Sequence, residues 1–364
     1  MDEDHNESCC VRVRQLLRIP FPIGLNICYI SKFFKDVPLN MSTYEVTIKP
    51  ANIHYQASAD ISLLDAALAN KFPLQYSCKK ASCGICVADV VNGWIKNEHG
   101  EVVNSGAVLT CSSYAQSDVI LKANYYPELA TIECLTVPCK IATQHFVTDD
   151  IVVITLRLPP TTTFRYLPGQ YIDLIHDDTR RSYSIANAQS TMAGIELHIR
   201  LLQDGEFSQI LKQSALNQLM RIEGPKGTFF IRNADNPIIF LAGGTGFAPV
   251  KAMVESLLAS QSRRDIYIYW GMPHSTSLYT GIAKSWEIEF NHLHYVPVIS
   301  SEDTNWQGRI GFVHQAVLDD FSDLSEYHVY ACGSPLMINA AKSAFIAKGL
   351  NEAHFYSDAF VPSK

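Results

Sequence analysis

Residues 76–90 read YSCKKASCGICVADV, and residues 108–114 read VLTCSSY. Together they set four cysteines, Cys78, Cys83, Cys86 and Cys111, in a C-x4-C-x2-C run followed after 24 residues by a lone fourth cysteine. Four thiolates at this spacing hold a plant-type [2Fe–2S] centre. The competing reading is a structural zinc site, but such sites present paired C-x2-4-C knuckles, and here there is one run and one distant ligand. Ala81, Ser82 and Gly84 lie between the ligands and are small, which lets backbone N–H groups approach the sulfurs and tune the potential of the centre. A centre of this kind moves one electron at a time, so the rest of the chain is expected to fill it or to empty it.

The remaining composition narrows the class. A chain of 364 residues has room for two or three domains, and with 47% hydrophobic and 18% charged residues it can bury real cores. A net charge of −7 offers no basic face for nucleic acid. No stretch reaches the ~18 uninterrupted apolar residues of a membrane span. The nearest, 16–34, is broken by Arg18, Pro20, Pro22, Gly24 and Lys32, and the same breaks spoil it as a secretory signal. A cytoplasmic location without a membrane span is therefore expected. Ten cysteines, four of them in cluster spacing, read as metal binding rather than as a disulfide framework. Residues 1–42 are expected to be an N-terminal extension, disordered or not native, because the alternating pattern opens only at Met41 with MSTYEVTIKP; Cys9, Cys10 and Cys28 are not assigned to metal.

Hydrophobic periodicity divides the chain from residue 43 onward into three parts. Residues 43–56 alternate as a strand, 62–71 carry apolar residues at helical spacing, and strands are expected near 86–95 and 118–124, making an α+β unit over 43–130. From 131 to 235 come short alternating runs, CLTVPCKIATQHF, DIVVITLRL, QYIDLIH, SYSIANA, IELHIRLL and RIEGPKGTFFI, separated by turn signals such as Pro168-Gly169. Many short strands at even spacing predict a closed antiparallel β-barrel. From 236 to 364 strands (PIIFLAGG, DIYIYWG, HYVPVIS, YHVYACG) alternate with helical segments (VKAMVESLLAS, PLMINAAKSAFIAKG), which predicts an α/β doubly wound parallel sheet.

Four motifs sit on these elements. RRSYSIAN (180–187) offers Arg181, a guanidinium fork suited to a pyrophosphate, with Ser182, the ring of Tyr183 and the hydroxyl of Ser184 beside it. HIRLLQDGEFSQIL (198–211) carries His198, Ile199 and Arg200 on a strand, and Gly205 and Ser208 where a helix opens; free N–H groups there suit a phosphate, although Ser208 could equally be an ordinary cap. FLAGGTGFAPV (240–250) puts Gly243, Gly244, Thr245 and Gly246 after a strand and Pro249 into a helix, the setting for a nucleotide pyrophosphate. YACGSPLM (330–337) ends a late strand with Cys332 and Gly333 at the crevice, where a buried structural cysteine is the plainer alternative.

In this order the motifs resemble those of the ferredoxin–NADP reductase superfamily, over about residues 43–364. The succession of parts is similar to that of the reductase components of bacterial ring-hydroxylating and phenol-hydroxylating oxygenases. RSYSIAN, GPKGTFF, GGTGFAPVK, YWG, VYACGSP and FYSDAF more closely resemble the CDP-6-deoxy-Δ3,4-glucoseen reductase family. The resemblance implies a β-grasp [2Fe–2S] ferredoxin domain at 43–130, an FAD-binding barrel at 131–235 and an NAD(P)-binding domain at 236–364. It implies that Arg181, Ser182, Tyr183, Ser184, His198, Ile199, Arg200, Gly205 and Ser208 hold the flavin, with Tyr183 stacked on it and Ser184 at N5. Gly243, Gly244, Thr245, Gly246 and Pro249 would hold the NADH or NADPH, with Cys332 and Gly333 beside the nicotinamide. Phe360 would cover the flavin face, making Ser184, Cys332 and Phe360 the catalytic set. Electrons would pass from NAD(P)H to FAD to the cluster, and on to a protein acceptor. That acceptor is, by resemblance, a pyridoxamine-phosphate dehydrase of 3,6-dideoxysugar synthesis; an oxygenase component is the alternative, and a simple NAD(P)H:flavin reductase is the weakest rival. The nicotinamide donor stays open in the residues: the second strand of the last part leads into MPHSTSLY, with neither an acid nor a base to read the ribose, and Arg263 and Arg264 precede that strand on its expected far side. Glu302 and Asp358 are candidate proton-handling carboxylates, and Lys79 and Lys80 suggest a basic electron exit.

Overall fold

Pro50 breaks the alternation of residues 43–56, so the single expected strand is a hairpin of β1 (Thr43–Lys49) and β2 (Ile53–Ser58), paired from Thr43↔Ser58 to Ile48↔Ile53. The turn places Asn52 at φ 54°, a conformation asparagine tolerates better than most residues. This computed structural model describes residues 42–189 and 194–360; residues 1–41, with Cys9, Cys10, Cys28 and Met41, lie outside the described residues.

After the hairpin comes α1 (Leu63–Ala69), whose Ser62 cap accepts a hydrogen bond from the Asp65 amide and whose buried face is Leu63, Leu64, Ala66 and Ala67. Then follow β3 (Val87–Asn92), β4 (Ile95–Lys96), β5 (Val102–Val103), β6 (Gly106–Leu109), β7 (Tyr114–Ala115) and β8 (Val119–Lys122). The five-stranded sheet has the order β2-β1-β8-β3-β6, with β1 and β8 parallel, and β5-β4-β7 form a small second sheet. The helix packs its apolar face on the sheet through Val46, Ile48, Tyr55 and Leu121. This is the expected α+β ferredoxin unit.

Six strands make the next sheet: β9 (Leu135–Thr148), β10 (Ile151–Arg157), β11 (Tyr171–His176), β12 (Thr179–Ser184), β13 (Ile195–Arg200) and β14 (Leu219–Lys226), in the order β12-β11-β14-β9-β10-β13. All pairs are antiparallel, and a bridge from Ile185 to Leu197 joins the two edge strands, so the sheet closes as a barrel. Two expected strands are shorter than their sequence pattern. The 182–188 run leaves the ladder after Ser184, and the 221–231 run stops at Lys226, where Gly227 turns with φ 87°. A helix, α2 (Glu206–Gln213), follows β13.

The last sheet is fully parallel: β15 (Ile238–Gly243), β16 (Ile266–Met272), β17 (Leu293–Ile299), β18 (Arg309–Ile310), β19 (His328–Gly333) and β20 (Phe355–Ala359), in the order β18-β17-β16-β15-β19-β20. The chain steps outward from β15 to β18 and then returns to β19. The topological switch therefore falls between β15 and β19, where the crevice of a doubly wound sheet opens. Helices α3 (Phe247–Ala259), α4 (Ile282–Glu289), α5 (Val313–Asp320) and α6 (Pro335–Ala347) follow strands, and one apolar cluster lies on each face of the sheet. The described residues from Thr43 onward form one compact unit.

Candidate functional site

The cluster loop is shaped by three left-handed residues, Lys79 (φ 54°), Ala81 (φ 54°) and Gly84 (φ 71°). Such turns aim successive amides inward. Amides of Lys80, Ser82 and Cys83 point at the Cys78 sulfur, that of Ile85 at Cys83, and that of Ala81 at Cys111. The four thiols converge as two pairs: Cys86 Sγ lies 3.2 Å from Cys111 Sγ, and Cys78 is hydrogen-bonded to Cys83. Within each pair the shared hydrogen bond lowers one thiol, Cys78 to about 5 and Cys111 to about 6, and raises its partner. Thiolate is the form that binds iron. Two thiols per metal is the geometry a dinuclear cluster needs, and a lone tetrahedral zinc would need all four on one ion. All seven described cysteines are free thiols. The residues present fit the [2Fe–2S] group.

The loop is bolted to the other two sheets. Tyr76 donates its amide to Thr228 Oγ1 at 3.1 Å, and that hydroxyl donates back to the Tyr76 carbonyl. Tyr171 Oη donates to the Ser77 carbonyl at 2.8 Å. Ser77 Oγ donates to Asp358 Oδ1 on β20 at 2.5 Å. Asp358 is buried; desolvation pushes its carboxyl up to about 6, against the Ser77 hydrogen bond, and the nearby Cys78 adds to the rise. Three side chains thus fix the residues just before Cys78 at the junction of barrel and parallel sheet. The two lysines do not form a free basic patch. Lys79 pairs with Asp65 at 2.5 Å, and Lys80 lines a large cleft beside the loop.

This cleft, of about 1670 Å³, runs from the cluster loop across the barrel to the switch point of the parallel sheet. Ser77 and Cys78 line it at one end. From the barrel come Arg181, Ser182, Tyr183, Ser184, His198, Arg200, Gly205 and Ser208; from the parallel sheet, Gly243, Gly244, Thr245, Gly333 and Phe360. Most of the residues singled out from the sequence therefore meet in one place. Their supports are visible. Ser182 donates to the buried Asp173, which Lys226 and Arg180 also hold. Burial raises Asp173, but the Lys226 and Ser182 hydrogen bonds outweigh it and keep the carboxyl below its usual range. The Tyr183 ring sits 5.9 Å from that of Phe207. His198, buried, is clamped between Tyr279 Oη (2.9 Å) and Glu196 (2.8 Å), and desolvation lowers its pKa. Ser208 Oγ accepts from the Leu202 amide, so its hydroxyl shapes the turn before α2.

Four residues are placed differently. Ile199 alternates away from His198 and Arg200 and is buried in the barrel core, which leaves only its backbone for a ligand. Cys332 is fully buried in the apolar cluster with Phe240 and Tyr330, and Gly333 rather than its side chain lines the cleft. Burial holds its thiol well above the ordinary range. Gly246 and Pro249 are buried behind the loop. A Cβ on Gly246 would stand 2.2 Å from the Cys332 carbonyl oxygen, so this glycine lets the loop press on β19. Trp270, stacked on Phe247 at 4.2 Å, donates Nε1 to the Gly244 carbonyl and supports the loop from below. Of the two candidate carboxylates, Asp358 lines the cleft, while Glu302 is exposed and does not.

The sequence did not single out Tyr171, Ser77, Phe312 or Leu336, all of which line the cleft. Phe312 and Leu336 are 72% and 84% exposed and add apolar surface to the cleft wall. Beyond β16, Ser275 hydrogen-bonds Asp303, whose carboxyl that bond holds below its usual range. Asp303 comes from the loop after β17 and brings a carboxylate beside the loop that follows the second strand.

Comparisons with known proteins match three parts of the chain. Residues 46–116 match the 2Fe-2S iron-sulfur cluster binding domain, 138–231 the oxidoreductase FAD-binding domain, and 240–343 the oxidoreductase NAD-binding domain. The chain is 51% identical to CDP-6-deoxy-L-threo-D-glycero-4-hexulose-3-dehydrase reductase of Yersinia pseudotuberculosis serotype I, over 88% of this chain and 99% of that one. It is 31% identical to reductase component 1 of terephthalate 1,2-dioxygenase from Comamonas sp, over 88% and 98%. Among solved structures it is similar in fold to the Amycolatopsis cytochrome P450 reductase GcoB, with a TM-score of 0.72 at 23% identity, covering 88% of this chain and 99% of that one.

Proposed function

We propose, for a chain that belongs to the iron–sulfur flavoprotein reductase family of the CDP-6-deoxy-L-threo-D-glycero-4-hexulose-3-dehydrase reductases, that its electrons go to a dehydrase of that class. The chain is an NAD(P)H-dependent oxidoreductase with FAD and [2Fe–2S] cofactors. When bound, the nicotinamide would supply an electron pair as hydride, the flavin would take the pair and give it up one electron at a time, and the cluster would carry single electrons onward; that chemistry is the cofactors' own.

The residues do the rest. Arg181 and the amides at Gly205 and Ser208 would hold the flavin pyrophosphate, Tyr183 and Phe360 would bound the ring system, and Ser184 would offer it a hydroxyl; all of them line the cleft. Gly243, Gly244 and Thr245 hold the dinucleotide phosphates at the switch point, and Gly333 leaves room for the nicotinamide. Cys332 acts from below, as a packed support to that floor. The four cysteines hold the cluster, and Tyr171, Thr228 and Asp358 hold its loop against the flavin cleft. The divisions 43–130, 131–235 and 236–364 follow from these roles. No described helix is long and apolar enough to cross a membrane, and a cytoplasmic setting suits a centre built on free thiols.

NADH is the donor on this reading. Among the described residues, the parallel-sheet side of the cleft carries no lysine or arginine to pair with a 2′-phosphate. The Asp303 carboxylate beside the second-strand loop suits a ribose hydroxyl and repels a phosphate.

The observation that carries the proposal is Cys78 lining the same cleft as Ser184 and Gly333. The test is dehydrase turnover coupled to NADH oxidation, using a CDP-6-deoxyhexulose dehydrase and, separately, an oxygenase component as acceptor. Stoichiometric coupling with the dehydrase and none with the oxygenase is the expected result; the reverse would assign the chain to oxygenase systems. In the same assay NADPH is expected to be at least tenfold poorer than NADH in kcat/KM.

A further inference from the structure

Among the described residues, five buried side-chain nitrogens lack a hydrogen-bond partner: Arg232 Nε, Arg264 Nη2, His292 Nε2, His328 Nδ1 and His354 Nδ1. They share one region of the fold. Arg264 just precedes β16, His292 precedes β17, His328 opens β19 and His354 precedes β20. This is the N-terminal edge of the parallel sheet, the end away from the cofactor crevice. A buried polar atom left unpaired costs roughly 1–3 kcal/mol, and an uncompensated buried charge costs more. Two of the five belong to guanidiniums, which stay charged and call for a negative partner, whereas desolvation lowers His328 to about 4 and leaves its ring neutral.

The two arginines define where it would sit. Arg264 is 9% exposed and donates Nε to the Asn236 carbonyl and Nη1 to the Arg232 carbonyl, leaving Nη2. Desolvation lowers its pKa, a measure of how poorly the charge is compensated. The Arg232 guanidinium lies 3.7 Å from the Phe230 ring centroid and 4.1 Å from that of Tyr126, and donates to the carbonyls of Phe230 and Thr228, leaving Nε. The arginine ion pairs among the described residues belong to Arg180, Arg200 and Arg309, not to these two. Arg232 and Arg264 line a cavity of about 660 Å³ together with Arg263, Asn233, Ser260 and Ser262. Two carboxylates, Glu128 and Asp235, also line it; both are exposed, and Asp235 reaches Arg264 only through longer-range attraction. Three guanidiniums therefore face two solvated carboxylates.

We propose that this cavity is an oxyanion site of the phosphate class, with Arg264 and Arg232 as its charged donors and Arg263, Ser260 and Ser262 at its mouth. Arg264 offers Nη2, Arg232 its Nε and the exposed Arg263 its fork to a phosphate edge, and Ser262, whose hydroxyl accepts from the Arg264 amide, still has its proton to donate; Ser260 already donates to the Leu257 carbonyl. The site is separate from the dinucleotide cleft, and its occupant would touch the electron path indirectly. The Thr228 carbonyl accepts from Arg232, and the Thr228 hydroxyl bonds Tyr76, two residues before Cys78.

The test uses the holoenzyme with cluster and FAD in place and saturating NAD+, which keeps the pyrophosphate sites filled. Isothermal titration at constant ionic strength in chloride is run with inorganic phosphate and, separately, with CDP. Saturable binding of at least one ligand is expected, weakened at least tenfold in Arg264→Met and in Arg263→Met, with NADH–ferricyanide activity unchanged. Phosphate binding alone identifies free phosphate as the source; CDP binding that phosphate displaces identifies a nucleotide phosphate. No saturable binding of either overturns the proposal. Arg263 is exposed and its loss spares the core, so unchanged affinity in Arg263→Met overturns it even if Arg264→Met fails to fold.

Discussion

Replacing Asp358 by Asn removes a buried negative charge at the point where β20 meets the cluster loop, while keeping the shape that accepts the Ser77 hydroxyl. Burial lifts the folded-state pKa of Asp358 from 3.8 to about 6. The folded protein therefore holds this proton more tightly than the unfolded chain does. Below about pH 4 both states are protonated and the group costs nothing. Between pH 4 and pH 6 the unfolded chain ionises first, and stability is lost as pH rises; above pH 6 the loss is complete. A shift of about two units at about 1.4 kcal/mol per unit gives roughly 3 kcal/mol over the full window. Roughly half of it falls between pH 5 and pH 8. The amide of Asp358→Asn does not titrate, so the variant should gain about 1.5 kcal/mol relative to the parent between those two values. Urea unfolding of the holoenzyme, followed by flavin fluorescence at pH 5, 6, 7 and 8, measures the difference through the shift in midpoint. Parallel stability profiles for the two proteins would refute the reasoning, because they would mean that Asp358 is as well solvated or as well paired folded as unfolded.

Three other outcomes rest on named contacts. Cys83→Ser removes one ligand of the Cys78/Cys83 pair, and reduction of cytochrome c should be lost while NADH–ferricyanide activity persists; joint loss of both would count against a cluster that lies downstream of the flavin. Arg181→Ala removes the guanidinium from the flavin cleft, and since charge-assisted hydrogen bonds contribute ~1.5–3 kcal/mol, FAD should dissociate roughly ten- to a hundredfold more readily in a fluorescence titration. Gly246→Ala sets a methyl 2.2 Å from the Cys332 carbonyl oxygen; the loop must move off β19, so KM for NADH should rise and Tm fall, and an unchanged KM would show that the loop is not pressed against that strand in solution.

Much of this architecture was legible because the signals are local. Four cysteines in a C-x4-C-x2-C…C run describe a loop that wraps its own ligand, and the left-handed Lys79, Ala81 and Gly84 show why small or adaptable residues lie there. RRSYS and GGTG are likewise short segments, and 181–184 of the first and 243–245 of the second reached the cleft. The misreadings are also local in origin. Alternation passes straight through Pro50, which is where the chain turns back. Position next to a motif is not the same as facing it: Ile199 and Cys332 stand in the right segments, but strand alternation and core packing take their side chains away from the cleft.

What the residues alone determined about this protein is its inventory: a one-electron centre, a flavin barrel and a nicotinamide sheet, in that order. The cysteine spacing points to the first, and the resemblance of the short motifs to a known superfamily supplies the other two. Only the tertiary structure decided how the parts communicate. Ser77 and Asp358 are 281 positions apart, Tyr76 and Thr228 are 152, and Tyr171 and Ser77 are 94. Asp303 reaches the loop after β16 from beyond β17, and five unpaired basic nitrogens collect at one sheet edge from separate strands and loops. Contacts of this kind come from the closure of the barrel and the order of the parallel sheet, which pack distant segments together and leave no periodicity in the chain to announce them.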